Sequence, residues 1–155
     1  MKIMVVYDSR TGNTGKMAAA IAEGARSSAG AEVEVKKLGE PFPLRALGEA
    51  DAVLFGSPSH YGNVTDGMRG FMSNLGEYVK SGKMSVKGSR AAIFGSYGWD
   101  GAWVMEEKLK GMVQELGYEV QEKVLVETGT NIQYSADKHT EKWKNFGADF
   151  VKSIA

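Results

Sequence analysis

Short apolar runs alternate with longer stretches of helical spacing along the whole chain. The first run, Lys2–Tyr7 (KIMVVY), is continuous and β-branched, as a strand covered on both faces requires. Residues 13–28 follow with Met17, Ile21 and Ala25 four apart, which predicts a helix. Glu32–Lys37 (EVEVKK) alternates apolar and charged positions and predicts a strand with one wet side, near a sheet edge. A helical turn around residues 44–47 leads into DAVLFGSP, a second continuous strand. Residues 66–78 predict a helix, RAAIFGSYG a fourth strand, and residues 102–116 a helix with Met105, Leu109, Met112, Val113 and Leu116 on one stripe. EKVLVE gives the fifth strand. The last helix, 136–154, turns Trp143, Phe146, Gly147, Phe150, Val151 and Ile154 inward.

Strands and helices in strict alternation predict an α/β fold, a parallel sheet with helices on both faces. No repeat, linker or low-complexity tract interrupts the chain, so residues 1–155 are expected to form a single domain. Ligands of such sheets sit beyond the carboxyl ends of the strands, where the strand order reverses. The loops at that end, residues 9–14, 57–63 and 96–101, are rich in Gly, Ser, Asn and aromatic residues. Those at the other end are plainer.

Composition narrows the chemistry. Nineteen basic residues balance nineteen acidic ones, which argues against a nucleic-acid binder relying on a general basic field. Cysteine is absent, so disulfides, thiolate metal sites and thiol catalysis are excluded. Two histidines, His60 and His139, are too few and too separated to suggest a metal centre. No membrane-spanning stretch and no signal-type apolar region is present, and a cytoplasmic location is expected.

The loop after the first strand, SRTGNT, places the hydroxyls of Ser9, Thr11 and Thr14 around Gly12. Helix capping needs one hydroxyl. Three of them beside a helix N-terminus, whose N–H groups and dipole are unsatisfied, make an anion site suited to a phosphate. Arg10 either reaches that phosphate or points to solvent. The patterns GxxxxGKS/T and GxGxxG are both absent, which disfavours a nucleotide triphosphatase and a dinucleotide held on this loop.

At this point SRTGNT resembles the S/T-x-T-G-x-T phosphate loop of the flavodoxins, and the similarity extends over nearly the whole chain. GSYGWDGAW, residues 95–103, resembles the GSYGWGDGKW loop of clostridial-type members, one residue shorter. GSPSHYGNV, residues 56–64, resembles their second ring loop and also GSPTxYGN of quinone-reductase relatives. The closest likeness is to short-chain flavodoxins of anaerobes and the flavodoxin domains of flavodiiron proteins. The resemblance implies a flavodoxin-like three-layer sandwich with a five-stranded parallel sheet in the order 2-1-3-4-5. It implies flavin mononucleotide (FMN) as cofactor, its phosphate held by Ser9, Arg10, Thr11, Gly12, Asn13 and Thr14. The ring would then lie between Pro58, Ser59, His60, Tyr61, Gly62 and Asn63 on one side and Ser96, Tyr97, Gly98, Trp99, Asp100 and Gly101 on the other. Trp99 would stack on one ring face, and either His60 or Tyr61 would cover the second. Gly62–Asn63 would be the peptide whose carbonyl turns toward the flavin N5 on one-electron reduction.

The function so implied is a single-electron shuttle between redox proteins: reductase donors and low-potential acceptors, ferredoxin-linked systems among them. No residue is expected to be catalytic, and the chain is expected to be a monomer with neither nucleic acid nor membrane as partner. Little fixed positive charge is expected at the ring, which disfavours the anionic, fully reduced flavin. Asp100, Glu106, Glu107, Glu115, Glu119, Glu122 and Glu127 outnumber Lys108, Lys110 and Lys123 and read as an acidic bias after the ring loop, on a chain of zero net charge. Docking should therefore depend only weakly on ionic strength. The main alternative is an FMN-dependent NAD(P)H:quinone reductase, suggested by GSPSHYGN. A phospho-accepting receiver would need an aspartate where LFGSPS ends the third strand, and a flavin-free domain keeping only the fold would be colourless.

Overall fold

The computed structural model describes residues 1–28, 30–98 and 103–154. The strands are β1 (Lys2–Tyr7), β2 (Glu32–Lys37), β3 (Ala52–Pro58), β4 (Arg90–Tyr97), β5 (Glu119–Val120) and β6 (Leu125–Thr128). The helices are α1 (Asn13–Arg26), α2 (Arg45–Glu49), α3 (Asp66–Lys80), α4 (Val104–Leu116), α5 (Gly129–Tyr134) and α6 (Ala136–Ile154). All strand pairs are parallel, and the sheet runs β2-β1-β3-β4-β5, the expected order. Its fifth position is shared. β5 pairs with Arg90 and Ala91 at the start of β4, and β6 pairs with Phe94–Tyr97 at its end.

Two apolar layers cover the sheet because its inner strands alternate between them. Ile3, Val5, Leu54 and Phe94 face α1 and α6, packing with Ile21, Trp143 and Phe150. Met4, Val6, Phe55 and Ile93 face the other way, against Met68, Leu75, Met105 and Leu109 of α3 and α4. β2 is the edge, and its alternation of exposed and half-buried residues matches its charged pattern. Lys83 and Lys87, in the basic segment between α3 and β4, lie at the amino end of β4, opposite the three glycine-rich loops.

Three local features differ from the sequence expectation. The fifth strand is not one run at residues 122–127: a first piece at Glu119–Val120 precedes it, and the second begins at Leu125. A short helix, α5, fills the expected connection between the last strand and the last helix. α1 ends two residues early, where Ser27 folds its hydroxyl back on the carbonyl of Gly24 at 2.6 Å.

Candidate functional site

The carboxyl ends of β1, β3 and β4 open on a cleft of about 390 Å³. From the first loop Arg10, Thr11 and Asn13 line it, from the second Pro58, Ser59, His60 and Tyr61, and from the third Ser96, Tyr97 and Gly98. Gly129, at the start of α5, closes one wall. Ser9, Gly12, Thr14, Gly62 and Asn63, from the same loops, are not among the residues lining it. Trp99, Asp100 and Gly101 lie outside the described residues.

Hydrogen bonds join the three loops. Asp8 continues β1 by donating its N–H to Gly56 at 3.1 Å, and its carboxylate accepts from Ser9 N–H and the Thr65 hydroxyl. Ser9 Oγ accepts from Gly12 N–H at 3.1 Å and closes the first loop on itself. Thr14 and Ser96, both buried, share a hydroxyl–hydroxyl bond of 2.9 Å that ties the first loop to the third. Ser59 N–H donates to the Ser96 carbonyl at 2.7 Å and ties in the second.

The N-terminus of α1 shares with those of α2 and α4 the lack of a side-chain cap, but unlike α4 it carries no acid in its first turn. α3 is capped by Thr65, whose Oγ1 accepts from Met68 N–H, and α5 is capped by Thr128 accepting from Asn131 N–H. α1 begins at Gly12 with φ +90°, no side-chain cap and no acid in its first turn, although three hydroxyls surround it. Its first N–H groups and dipole are left for something other than the chain, as an anion site requires. The hydroxyl of Ser59, on the cleft wall, is also buried without a partner among the described residues. A ligand carrying a phosphate and further polar atoms fits both observations.

The second loop is a tight turn. His60 and Asn63 exchange both backbone hydrogen bonds, at 2.8 and 3.0 Å, and Tyr61 and Gly62 between them have φ of +53° and +78°. Positive φ at both central positions is the type I′ turn. Arg10, which the sequence left either on a phosphate or in solvent, does a third thing: its Nη1 donates to His60 Nδ1 at 3.0 Å. Guanidinium only donates, so Nδ1 accepts and the ring proton sits on Nε2. On the other side Lys108 Nζ donates to Asn63 Oδ1 at 2.7 Å, and Val104 packs against Gly62. Two cations therefore flank this loop, where the sequence reading expected little positive charge. The Tyr61 ring lies 5.1 Å from that of His60 and is 82% exposed.

Two glutamates counted as surface acidity are buried behind the cleft. Glu127, at the end of β6, accepts from Lys142 Nζ (2.6 Å), Asn131 Nδ2 (2.8 Å) and Trp143 Nε1 (3.0 Å). Burial pushes its carboxyl up, but those bonds and the Lys142 charge outweigh it and hold the group down at about 2. Glu106 lies over Gly95 of β4, and neither carboxyl oxygen has a hydrogen-bond partner among the described residues. Burial pushes it up to about 7, against a weaker pull from the N–H groups of Glu106 and Trp103. Sequence reasoning also missed Gly129, which follows a strand end as the other cleft glycines do. A Cβ there would lie 3.0 Å from Asn13 Nδ2.

The flavodoxin family model matches residues 5–151. An archaeal flavodoxin is 31% identical and superposes with a TM-score of 0.80, each chain covered to 99%. Oxidised flavodoxin 1 of Bacillus cereus is 27% identical with a TM-score of 0.78, both chains covered completely. The flavodiiron core of Flv1 from Synechocystis, 20% identical, shares the fold with a TM-score of 0.78. It covers 99% of this chain but only 36% of its own. Given a family match over almost the full length and that archaeal likeness, the chain belongs to the flavodoxins, FMN-binding electron-transfer proteins.

Proposed function

We propose that this flavodoxin seats the FMN phosphate on the open N-terminus of α1 and the ring in the cleft between the second and third loops. It would carry single electrons between a reductase and a low-potential acceptor. The observation behind this reading is the first turn of α1 at the cleft, uncapped and without an acid, with the hydroxyls of Ser9, Thr11 and Thr14 beside it. When bound, the flavin supplies the electron chemistry, and the chain supplies position and electrostatics. Thr11 and the first N–H groups of α1 hold the phosphate with neutral donors. Ser59 gives its unpartnered hydroxyl to the cofactor. Ser96 keeps the first and third loops in register through Thr14, so phosphate and ring are held at a fixed spacing. Tyr61, Trp103 and Val104 are exposed, and Val104 touches Gly62, so an apolar lip lies beside the second loop. A redox protein docks there, and the mixed charges of Arg10, Lys108 and Glu107 around it support a shallow salt dependence.

Titrating the apoprotein with FMN and with riboflavin, which lacks the phosphate, tests the placement. FMN should bind far more tightly. Thr11→Val should weaken FMN about ten- to a hundredfold, the range for one hydrogen bond to a charged group, and leave riboflavin unchanged. Equal affinities for the two flavins would remove the phosphate from α1.

A further inference from the structure

Little fixed positive charge at the ring is the expectation from sequence, yet a cation stands at each end of the second loop. Arg10 is the only charged side chain lining the cleft among the described residues. Its Nη1 donates to the neutral His60 ring at 3.0 Å, and Lys108 Nζ donates to the neutral amide of Asn63 at 2.7 Å. Neither cation is paired with a carboxylate among the described residues. Asp8, two residues before Arg10, gives its carboxylate to Ser9 N–H and the Thr65 hydroxyl and lines a separate groove with Asp66 and Phe71. A neutral acceptor positions a cation without cancelling its charge. His60 and Asn63 therefore act as positioning residues, one for each cation.

Fixed charge acts selectively on reduction. An electron that enters with a proton leaves the net charge of the site as it was. An electron that enters alone adds one negative charge, and a nearby cation favours only that kind of step. Arg10 and Lys108 are both exposed, so water and salt weaken their pull without abolishing it.

We propose that Arg10, supported by Lys108, eases the electron-only step of reduction, so that this carrier is filled completely by a milder donor than a cleft without cations requires. The inference rests on the reading that the ring lies between the second and third loops. The electron comes from the reductase and leaves to the acceptor, and no other reactant enters. The sign holds whichever acceptor the guanidinium keeps. On His60 it lines the cleft, and on a bound phosphate it offsets the negative charge of that group. The fully reduced protein is correspondingly a weaker donor than the same cleft without these charges.

The test uses the full-length, FMN-loaded protein as wild type, Arg10→Gln, Arg10→Lys and Lys108→Gln, titrated potentiometrically at several pH values. The step whose potential does not move with pH is the one without a proton. In Arg10→Gln its equilibrium should become about three- to tenfold less favourable, tenfold being about 59 mV. Lys108→Gln, outside the cleft lining, should show the same sign and a smaller change. Arg10→Lys keeps the charge and should stay near the wild type. Added salt should shrink every difference. The step that takes a proton should keep its potential in all four chains. Unchanged potentials in both glutamine variants would overturn the proposal. So would an Arg10→Lys chain that behaves like Arg10→Gln, since the tie to His60 and not the charge would then govern. If Arg10→Gln fails to hold FMN, Lys108→Gln decides. A wild type that binds riboflavin as tightly as FMN would defeat the site reading, whereas tightly bound FMN with potentials indifferent to these charges would defeat this inference alone.

Discussion

Glu106 and Glu127 are the same residue type at the same depth, one on each side of the sheet, and their environments drive them in opposite directions. Glu127 is 4% exposed and Glu106 fully buried, so desolvation raises both. The difference lies in donors. Helix α6 offers Glu127 an ammonium and an indole N–H, α5 adds an amide, and His139 stands 3.7 Å away. Helix α4 and β4 offer Glu106 a methionine, a glycine and its own helix N-terminus, and the Glu107 charge pushes its carboxyl further up. Burial alone therefore says little about a carboxylate in this fold; the side chains its neighbours present decide its charge.

The largest effect is expected where the donors are. Replacing Glu127 by Ala leaves Lys142 and the half-buried Asn131 Nδ2 without their acceptor and Trp143 Nε1 buried without its own. Lys142 is half exposed and regains water, so the cost comes from the charge-assisted bonds of Trp143 and Asn131, about 1.5–3 kcal/mol for each. Urea unfolding at neutral pH measures it. A loss below about 1 kcal/mol would mean that α5 and α6 are held by apolar packing alone and that the Glu127 side of the comparison is decorative. The wild-type contribution should be present above pH 4.5 and fade as pH falls toward 2, because the folded carboxyl holds its proton less tightly than the unfolded one.

Glu106 has the opposite sign. Its proton leaves the unfolded chain near the ordinary 4.5 but stays on the folded chain until about 7. Between those values the folded state binds more protons, so stability falls as pH rises and stays reduced above pH 7. Glu106→Gln cannot lose a proton. Its stability relative to wild type should therefore improve by about 3 kcal/mol between pH 4 and pH 8. Taking the difference between two pH values removes the constant cost of a buried amide. A pH-independent difference would show that Glu106 finds a donor on folding.

How far the sequence foretold this varies with the kind of information each feature needs. The inner strands and the three loops after them were legible because KIMVVY, DAVLFGSP and RAAIFGSYG carry their burial in their own composition, whereas the sheet order came from the family resemblance. The split fifth position was not, since β5 is two residues long and GYEV has no period to read. α5 was too short for helical spacing, although Thr128 and Asn131 stand at capping distance in the sequence. The phosphate loop showed its hydroxyls but not that α1 lacks a cap, because a hydroxyl beside a helix reads the same in either role. Glu106 was legible in part. It sits between Met105 and Leu109 on the buried stripe of α4, and its charge alone made it look exposed. The ties from Arg10 to His60 and from Lys108 to Asn63 join residues 50 and 45 apart, which no local pattern reports.

The smallest effect sharpens the comparison at the contact itself. Gly95 has no side chain because Glu106 Oε2 and Met105 Cε would collide with a Cβ placed there. Gly95→Ala overpacks this corner and should cost about 1–3 kcal/mol by urea unfolding. In a Glu106→Ala background the carboxyl is gone and only Met105, a flexible side chain, must yield. The two substitutions should then couple by 0.5 kcal/mol or more, as residues in contact do. Strict additivity would mean that the carboxyl swings clear of β4 without cost. In that case its raised pKa would owe little to being pinned over Gly95, and the contrast with the donor-rich Glu127 would rest on burial after all.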